Sequence, residues 1–219
     1  MARFEFFLKK GLKENIKKGE TLVRGGEEPQ GIYFLESGII KMSTFLKDGT
    51  EITFNFFKPG SFFPMIWAIA QTQNIYNFQA VTNSVIYRVS KEEVFKFLEK
   101  DSEIYKDLVK RILLGFDSLL GSFPYLLSGT ASKRVAAAIL FLARRFGEES
   151  KEGLILKIKI RHEDLAGMAA LSRETVSLAI GKLQKKKIII QKNRFIVIKK
   201  RNDLKKAADM EDFFLFPPS

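Results

Sequence analysis

The chain has 219 residues, with 37 Lys and Arg against 25 Asp and Glu, a net charge of +12, and 46% hydrophobic residues, a length and mixture that suit one large globular domain or two modest ones. Having no Cys and a single His, it excludes a disulfide framework, thiolate metal sites, iron–sulfur clusters and thiol catalysis, and no cofactor is expected. No apolar run approaches the ~18 residues of a membrane span, and the opening MARFEFFLKK lacks the shape of a signal peptide, so the expected location is cytoplasmic, away from membranes.

The first ~95 residues read as β. Ile32-Tyr33-Phe34-Leu35 ends at Ser37-Gly38. Ile39 to Leu46 follows, then the turn Lys47-Asp48-Gly49, then Glu51 to Phe57 and Pro59-Gly60. An Asp-Gly between two strand-like runs is a strong hairpin signal. Asn77 to Ala80 and Val85 to Val89 complete a set of short strands that suits a barrel or sandwich.

From Ser90 the apolar period changes to three and four: Val94, Phe97, Leu98, Ile104, Leu108, Ile112, Phe116, Leu119. This predicts helices, one of them over 102–120 with Ser102 as its N-cap and with Gly121 and Pro124 ending or kinking it. The stripe Leu108, Ile112, Phe116, Leu119 and Phe123 fits either an internal core or pairing with a second copy. Residues 130–146 form another helix closed by Gly147, and Leu154 to Ile160 alternates as a half-exposed strand does.

The charge is unevenly placed. Residues 1–128 hold 17 basic and 15 acidic side chains, whereas 129–219 hold 20 and 10. A localised positive surplus attracts polyanions. Within it, residues 160–183 fit a helix-turn-helix. Leu165 and Ala166 pack the first helix, Ala169, Ala170 and Leu171 make the turn, and Ser172 caps the second. Val176, Ala179, Ile180 and Leu183 form that helix's buried face, leaving Arg173, Glu174, Thr175, Ser177 and Lys182 elsewhere.

A recognition helix meets the major groove with its N-terminal residues. There Arg reads guanine, Glu accepts from cytosine N4, and Thr touches a base or a thymine methyl, while Ser172 and the helix N-terminus suit a phosphate. Two further strands, 188–190 and 195–198, flank the basic turn Gln191-Lys192-Asn193-Arg194 and read as a wing. The expected DNA-contacting set is Ser172, Arg173, Glu174, Thr175, Ser177, Lys182 and Arg194.

With these motifs the chain resembles the CRP/FNR family of bacterial transcription regulators over nearly its whole length. Leu171-Ser172-Arg173-Glu174-Thr175-Val176-Ser177 matches the family's recognition-helix signature. Lys18-Gly19-Glu20, Pro29 to Gly38, Asp48-Gly49 and Pro59-Gly60 match the punctuation of its β-roll. The resemblance implies an α+β fold: a cyclic-nucleotide-binding-like antiparallel β-roll over 1–98, a dimerisation helix and hinge over 99–128, and a winged helix-turn-helix over 129–219. It also implies a homodimer joined through Leu108, Ile112, Phe116 and Leu119, with recognition helices about 34 Å apart on a near-palindromic double-stranded DNA operator. RNA polymerase and a small-molecule effector are admitted as further partners.

Several positions depart from the family pattern. Members that bind cyclic AMP carry Gly-Glu and Arg-Ser/Thr where this chain has Pro64-Met65 and Asn74-Ile75, so no cyclic nucleotide is expected. Without Cys, and with its only His, His162, in the C-terminal half, the chain also lacks the ligands of the redox and haem members. His162 is expected as a surface or cap residue of the first helix. In place of the nucleotide site stands an aromatic stretch, and Phe62, Phe63, Met65, Trp67, Tyr76 and Phe78 are expected either to line a pocket for an apolar or aromatic effector or to fill it as core. Ala170 stands where Gly is frequent, and Leu178 where the family has a second Arg.

The composition holds no phosphate-binding Gly loop and no nucleophile–base pair, so no enzyme is expected. The alternative is a sensor or adaptor acting through protein partners without effector-dependent DNA binding. The apolar tail 212–219 has no assigned role.

Overall fold

The computed structural model describes residues 2–210; the apolar tail 212–219 lies outside them. Contacts divide the chain into two units, residues 1–115 and 116–219, and the fold is α+β.

The first unit opens with α1 (Ala2–Lys10) and continues through β1 (Leu12–Ile16), β2 (Thr21–Val23), β3 (Ile32–Ser37), β4 (Ile40–Phe45), β5 (Glu51–Phe57), β6 (Phe62–Phe63), α2 (Met65–Ala70), β7 (Asn77–Ala80), β8 (Ser84–Val89) and α3 (Lys91–Glu99). The strands form two four-stranded antiparallel sheets, in the orders β1-β8-β3-β6 and β2-β7-β4-β5. The expected hairpin forms at Asp48-Gly49: Gly49 is left-handed at φ 84°, and Asp48 Oδ1 accepts from the Thr50 N–H at 2.9 Å. That backbone bond holds the Asp48 carboxyl below its usual pKa. At the β3–β4 turn Gly38 takes φ 91°, and a Cβ there would fall 2.6 Å from Ser84 Cα, so both conformation and space demand glycine.

Two helices lie in the stretch that reads as β. α1 places Phe7 in a core with Ile32, Phe34, Ala68, Tyr87, Val89, Val94, Leu98 and Leu108. α2 lies in the aromatic segment. A second core holds Ile16, Val23, Tyr33, Leu35, Ile40, Phe63, Phe78, Ala80 and Ile86. Lys41, on β4, is 2% exposed and has its ammonium 2.7 Å from Glu51 Oε1, while Ser43 donates to the same carboxylate at 2.6 Å. A charge so deeply buried requires this compensation, and strand alternation alone gave no sign of it.

α4 (Ser102–Leu127) crosses from one unit into the other. At 26 residues it is about 39 Å long. Its cap is Asp101, not Ser102: Asp101 Oδ1 accepts from Glu103 N–H at 3.0 Å and Ile104 N–H at 3.3 Å. Nor does it stop near Gly121, since Pro124 sits inside it. Proline removes one ladder bond, and the ladder resumes beyond it, with Ser128 N–H donating to Pro124 O at 3.2 Å. Leu108, expected on a dimer seam, is 6% exposed and belongs to the core of its own unit. The outward face instead carries Tyr105, Val109, Ile112, Phe116 and Phe123, all more than a third exposed, with Leu119 half-buried between the last two.

The second unit contains α5 (Ala131–Phe146), β9 (Gly147–Ser150), β10 (Gly153–Leu156), α6 (His162–Ala169), α7 (Arg173–Lys185), β11 (Ile189–Lys192), β12 (Phe195–Ile198) and α8 (Arg201–Ala208). Thr130 caps α5, accepting from Lys133 N–H at 3.4 Å. The sheet order is β11-β12-β10-β9. The strand expected over 154–160 ends at Leu156: Lys157 N–H turns to Phe146 O at 2.8 Å, while Ile158 and Ile160 stay buried. Its partner β9, Gly-Glu-Glu-Ser, has no apolar signal and was invisible to patterning.

Candidate nucleic-acid interface

α6 and α7 are joined by a turn of three residues, 170–172. Ala170 is left-handed at φ 48°, ψ 53°, a conformation that costs a non-glycine residue about 1 kcal/mol. Arg134, on α5, supports the turn: its Nη2 donates to Ala170 O at 3.0 Å and also to Ala169 O. These are the carbonyls a helix end leaves without intrahelical partners, and sequence patterning gave Arg134 no role. At the other end of α6, Asp164 is 1% exposed and accepts from Arg161 N–H at 3.0 Å.

α7 begins at its expected cap. Ser172 Oγ accepts from Thr175 N–H at 3.2 Å, and the Thr175 hydroxyl lies 3.0 Å from it. Val176, Ala179, Ile180 and Leu183 are buried, so the rest of the helix turns outward. Arg173 is largely exposed, with its Nε 3.1 Å from Glu163 Oε1. An exposed pair of this kind contributes little, so Arg173 can exchange Glu163 for another acceptor. The Glu174 carboxyl is held below its usual pKa by its own backbone N–H, then by the Ser172 hydroxyl, with Arg173 adding to the effect. It is therefore an anionic acceptor at the helix N-terminus.

Ser177 is engaged internally. Its hydroxyl donates to Arg173 O at 2.9 Å and lies 2.7 Å from His162 Nδ1. With the hydroxyl proton on the carbonyl, the imidazole N–H is the donor, and the pair ties α6 to α7. His162 is thus the first residue of α6, half-buried, and a tether between the helices.

Lys182, Lys185, Lys186 and Lys187 are exposed at the far end of α7. At the wing, Asn193 (φ 48°) and Arg194 (φ 69°) form a two-residue hairpin turn with both residues left-handed. Such turns favour Asn first and Gly second, so Arg at the second position is strained. Four further acidic residues of this unit are paired with basic partners. Glu152 holds Lys192 at 2.7 Å, Glu148 lies 3.4 Å from Lys157, Glu149 binds Arg201 and Asp209 holds Lys133 at 2.8 Å. Among the described residues no carboxylate lies within salt-bridge distance of Lys182, Lys185, Lys186, Lys187 or Arg194. These five cations leave a positive surplus at the C-terminal end of α7 and at the tip of the wing.

The six residues expected to line an effector pocket do not come together. Phe62 and Phe63 are neighbours on β6 and point to opposite faces, as strand geometry requires. Phe62 packs with Met65 and Trp67 against the core that contains Phe7. Phe63 and Phe78 stack at 5.2 Å in the other core, against which Tyr76 packs. Asn74 is 3% exposed, and its amide serves the loop, donating to Arg24 O at 3.0 Å and Tyr76 O at 2.9 Å.

Comparison with known proteins agrees with this architecture. Residues 13–101 match the cyclic nucleotide-binding domain, and residues 133–207 match the Crp-like helix-turn-helix domain. The global nitrogen regulator of Synechococcus elongatus is 26% identical over 191 residues, 84% of each chain. The fumarate and nitrate reduction regulatory protein of Escherichia coli is 24% identical over 90% of this chain and 78% of its own. Among solved structures, a CRP-family transcriptional regulator from Thermus thermophilus superposes with a TM-score of 0.73 at 23% identity, covering 90% of this chain and 96% of that one. A two-domain DNA-binding regulator is the class these features define. The chain belongs to the CRP/FNR family of transcriptional regulators, a family of regulators and not of enzymes.

Proposed function

We propose that the protein works as a homodimer that reads a near-palindromic operator in double-stranded DNA through α7, with Arg173 and Glu174 on base edges, Ser172, Thr175 and Lys182 at the groove and backbone, and Arg194 from the wing. The observation that carries this reading is the N-terminal turn of α7: a side-chain-capped helix start with an exposed cation and a carboxylate kept anionic beside it. Ser177 acts by holding the two helices in register, since its hydroxyl is already engaged.

The dimer seam follows Tyr105, Val109, Ile112, Phe116, Leu119 and Phe123. Their alternating spacing of four and three is the a/d pattern of a paired helix, and Leu108, buried in the core of its own unit, lies off this seam. The corresponding division of labour is a sensor over 1–98, a helical joint over 99–128 and a DNA-binding domain over 129–219, in the cytoplasm.

Cyclic AMP is not the signal in this reading. Pro64 precedes α2, Met65 packs in a core, and the Asn74 amide is engaged with loop carbonyls, so these positions offer no cation for a buried phosphate. A small apolar or aromatic effector remains the proposed signal, entering by displacing packed rings. RNA polymerase is the proposed partner at the promoter.

The test is a selection of duplexes from random sequence with the full-length protein, followed by affinity measurement across salt. The expected result is a palindromic consensus with a steep negative log–log salt slope. No binding to any duplex at low salt would overturn the proposal and favour an adaptor that docks on proteins.

A further inference from the structure

Leu178 is 70% exposed, more than any other large hydrophobic side chain among the described residues. It lies on α7, whose buried positions are 176, 179, 180 and 183. Positions 174, 178, 181 and 185 recur at four-, three- and four-residue steps and form the opposite ridge, the part of the helix that projects furthest from its own domain. The ridge therefore reads Glu174, Leu178, Gly181, Lys185: an anion at the N-terminal end, an apolar side chain one turn on, then a gap, then a cation.

Gly181 is a costly choice in a helix interior, and nothing among the described residues requires it. A Cβ built there meets no atom within 4 Å, and the residue is not left-handed. A bare backbone next to an exposed leucine suits a surface that something else approaches closely. The surrounding charge selects the class of occupant: Lys185 on the ridge, Arg173 and Lys182 beside it and Lys186 at the end of the helix are exposed, so the approaching surface is a polyanion with an apolar spot. In the DNA major groove that spot is the C5-methyl of thymine, the one apolar group displayed on a base edge.

We infer that Leu178 is a specificity-determining residue, which packs on a thymine methyl within each half-site while Gly181 lets the DNA close on the helix. The inference rests on the proposed role of α7 in DNA reading and adds to it the base that its ridge selects. Residues 174 and 178 are about 6 Å apart along the helix axis. At about 3.4 Å per base, the thymine lies about two steps from the base pair met by Glu174.

The experiment uses the operator selected by the full-length protein. Each thymine is replaced in turn by deoxyuridine, which removes only the methyl and keeps the pairing. For the wild type, one symmetry-related position is expected to weaken binding by about fourfold per half-site, the worth of one buried methyl-sized group. In Leu178→Ala that position is expected to become indifferent to the methyl, while all other positions behave as before. Leu178 lies outside the core, so its truncation leaves the packing of α7 in place, and an unchanged thermal midpoint checks this. If wild type and Leu178→Ala respond alike at every thymine, while Arg173→Ala loses sequence preference, the inference falls and the DNA-reading proposal stands. If no operator is selected at all, both fall.

Discussion

The two units bury their interiors with different materials. In the N-terminal unit Phe63 sits 5.1 Å from Phe57, 5.2 Å from Phe78 and 5.6 Å from Tyr33, in a run of stacked rings. In the C-terminal unit α5 buries Ala136, Ala137, Ala138, Ile139 and Leu140 completely. Rings fill the space between two sheets. Alanines bring helices together at short axial distance, and that closeness lets Arg134 of α5 reach the end of α6. One interior is made by bulk, the other by proximity. The outer surfaces differ in the same sense, with a near balance of charge over 1–128 and twice as many basic as acidic residues beyond.

The largest effect is expected where bulk is removed. Phe63→Ala should lower stability by about 3–5 kcal/mol, read by denaturant unfolding of the purified protein. A loss under about 1 kcal/mol would show that the stack tolerates a space, as a ready-made ligand cavity does.

Proximity is tested at Arg134. Arg134→Ala should cost about 1–3 kcal/mol, because it leaves the carbonyl of buried Ala169 without this donor, while that of exposed Ala170 turns to water. DNA affinity should fall with it, as the turn that presents α7 loosens. Full stability in this variant would assign the support of the turn to other groups.

Charge and readout separate in the next pair. Arg173→Ala should cost about 1–3 kcal/mol on the selected operator and relax preference at its base pair, whereas Lys182→Ala should weaken all duplexes alike and reduce the salt slope by about one. Equal losses on operator and random DNA for Arg173→Ala would remove its assignment as a base reader.

The smallest effect is one of pH. A group with a depressed pKa is ionised above its ordinary value and loses its charged form only as pH falls through the depressed one. Glu174, held below the ordinary glutamate value first by its own backbone N–H and then by the Ser172 hydroxyl, should therefore keep its base preference through the weakly acidic range and lose it only as pH falls through that depressed value. Selectivity at that base pair that declines between pH 7 and 5 would place the contact on another group.

Much of the candidate interface is legible in sequence because its signals are local. Ser172 caps α7 through a hydroxyl three residues from its donor, and the buried face of α7 follows helical spacing. The β4–β5 hairpin needs only Asp48 and Gly49 in register. Features that patterning leaves open depend on partners far along the chain. Leu108 fits a helical stripe as well as Val109 does, and only the core formed with Phe7, Val94 and Leu98 turns it inward. β9 forms because β10 and α5 lie beside it.

By itself the sequence determined the family architecture, the start of α7 and the location of the positive charge. These rest on periods, caps and counts within a few residues of one another. Only the tertiary structure decided that the aromatic residues of 62–78 divide between two cores, that Lys41 is buried against Glu51, that Arg134 supports the turn and that Ser177 is held by His162. Each of these joins groups from separate elements, and the burial and pairing that set their energies exist only once those elements have packed.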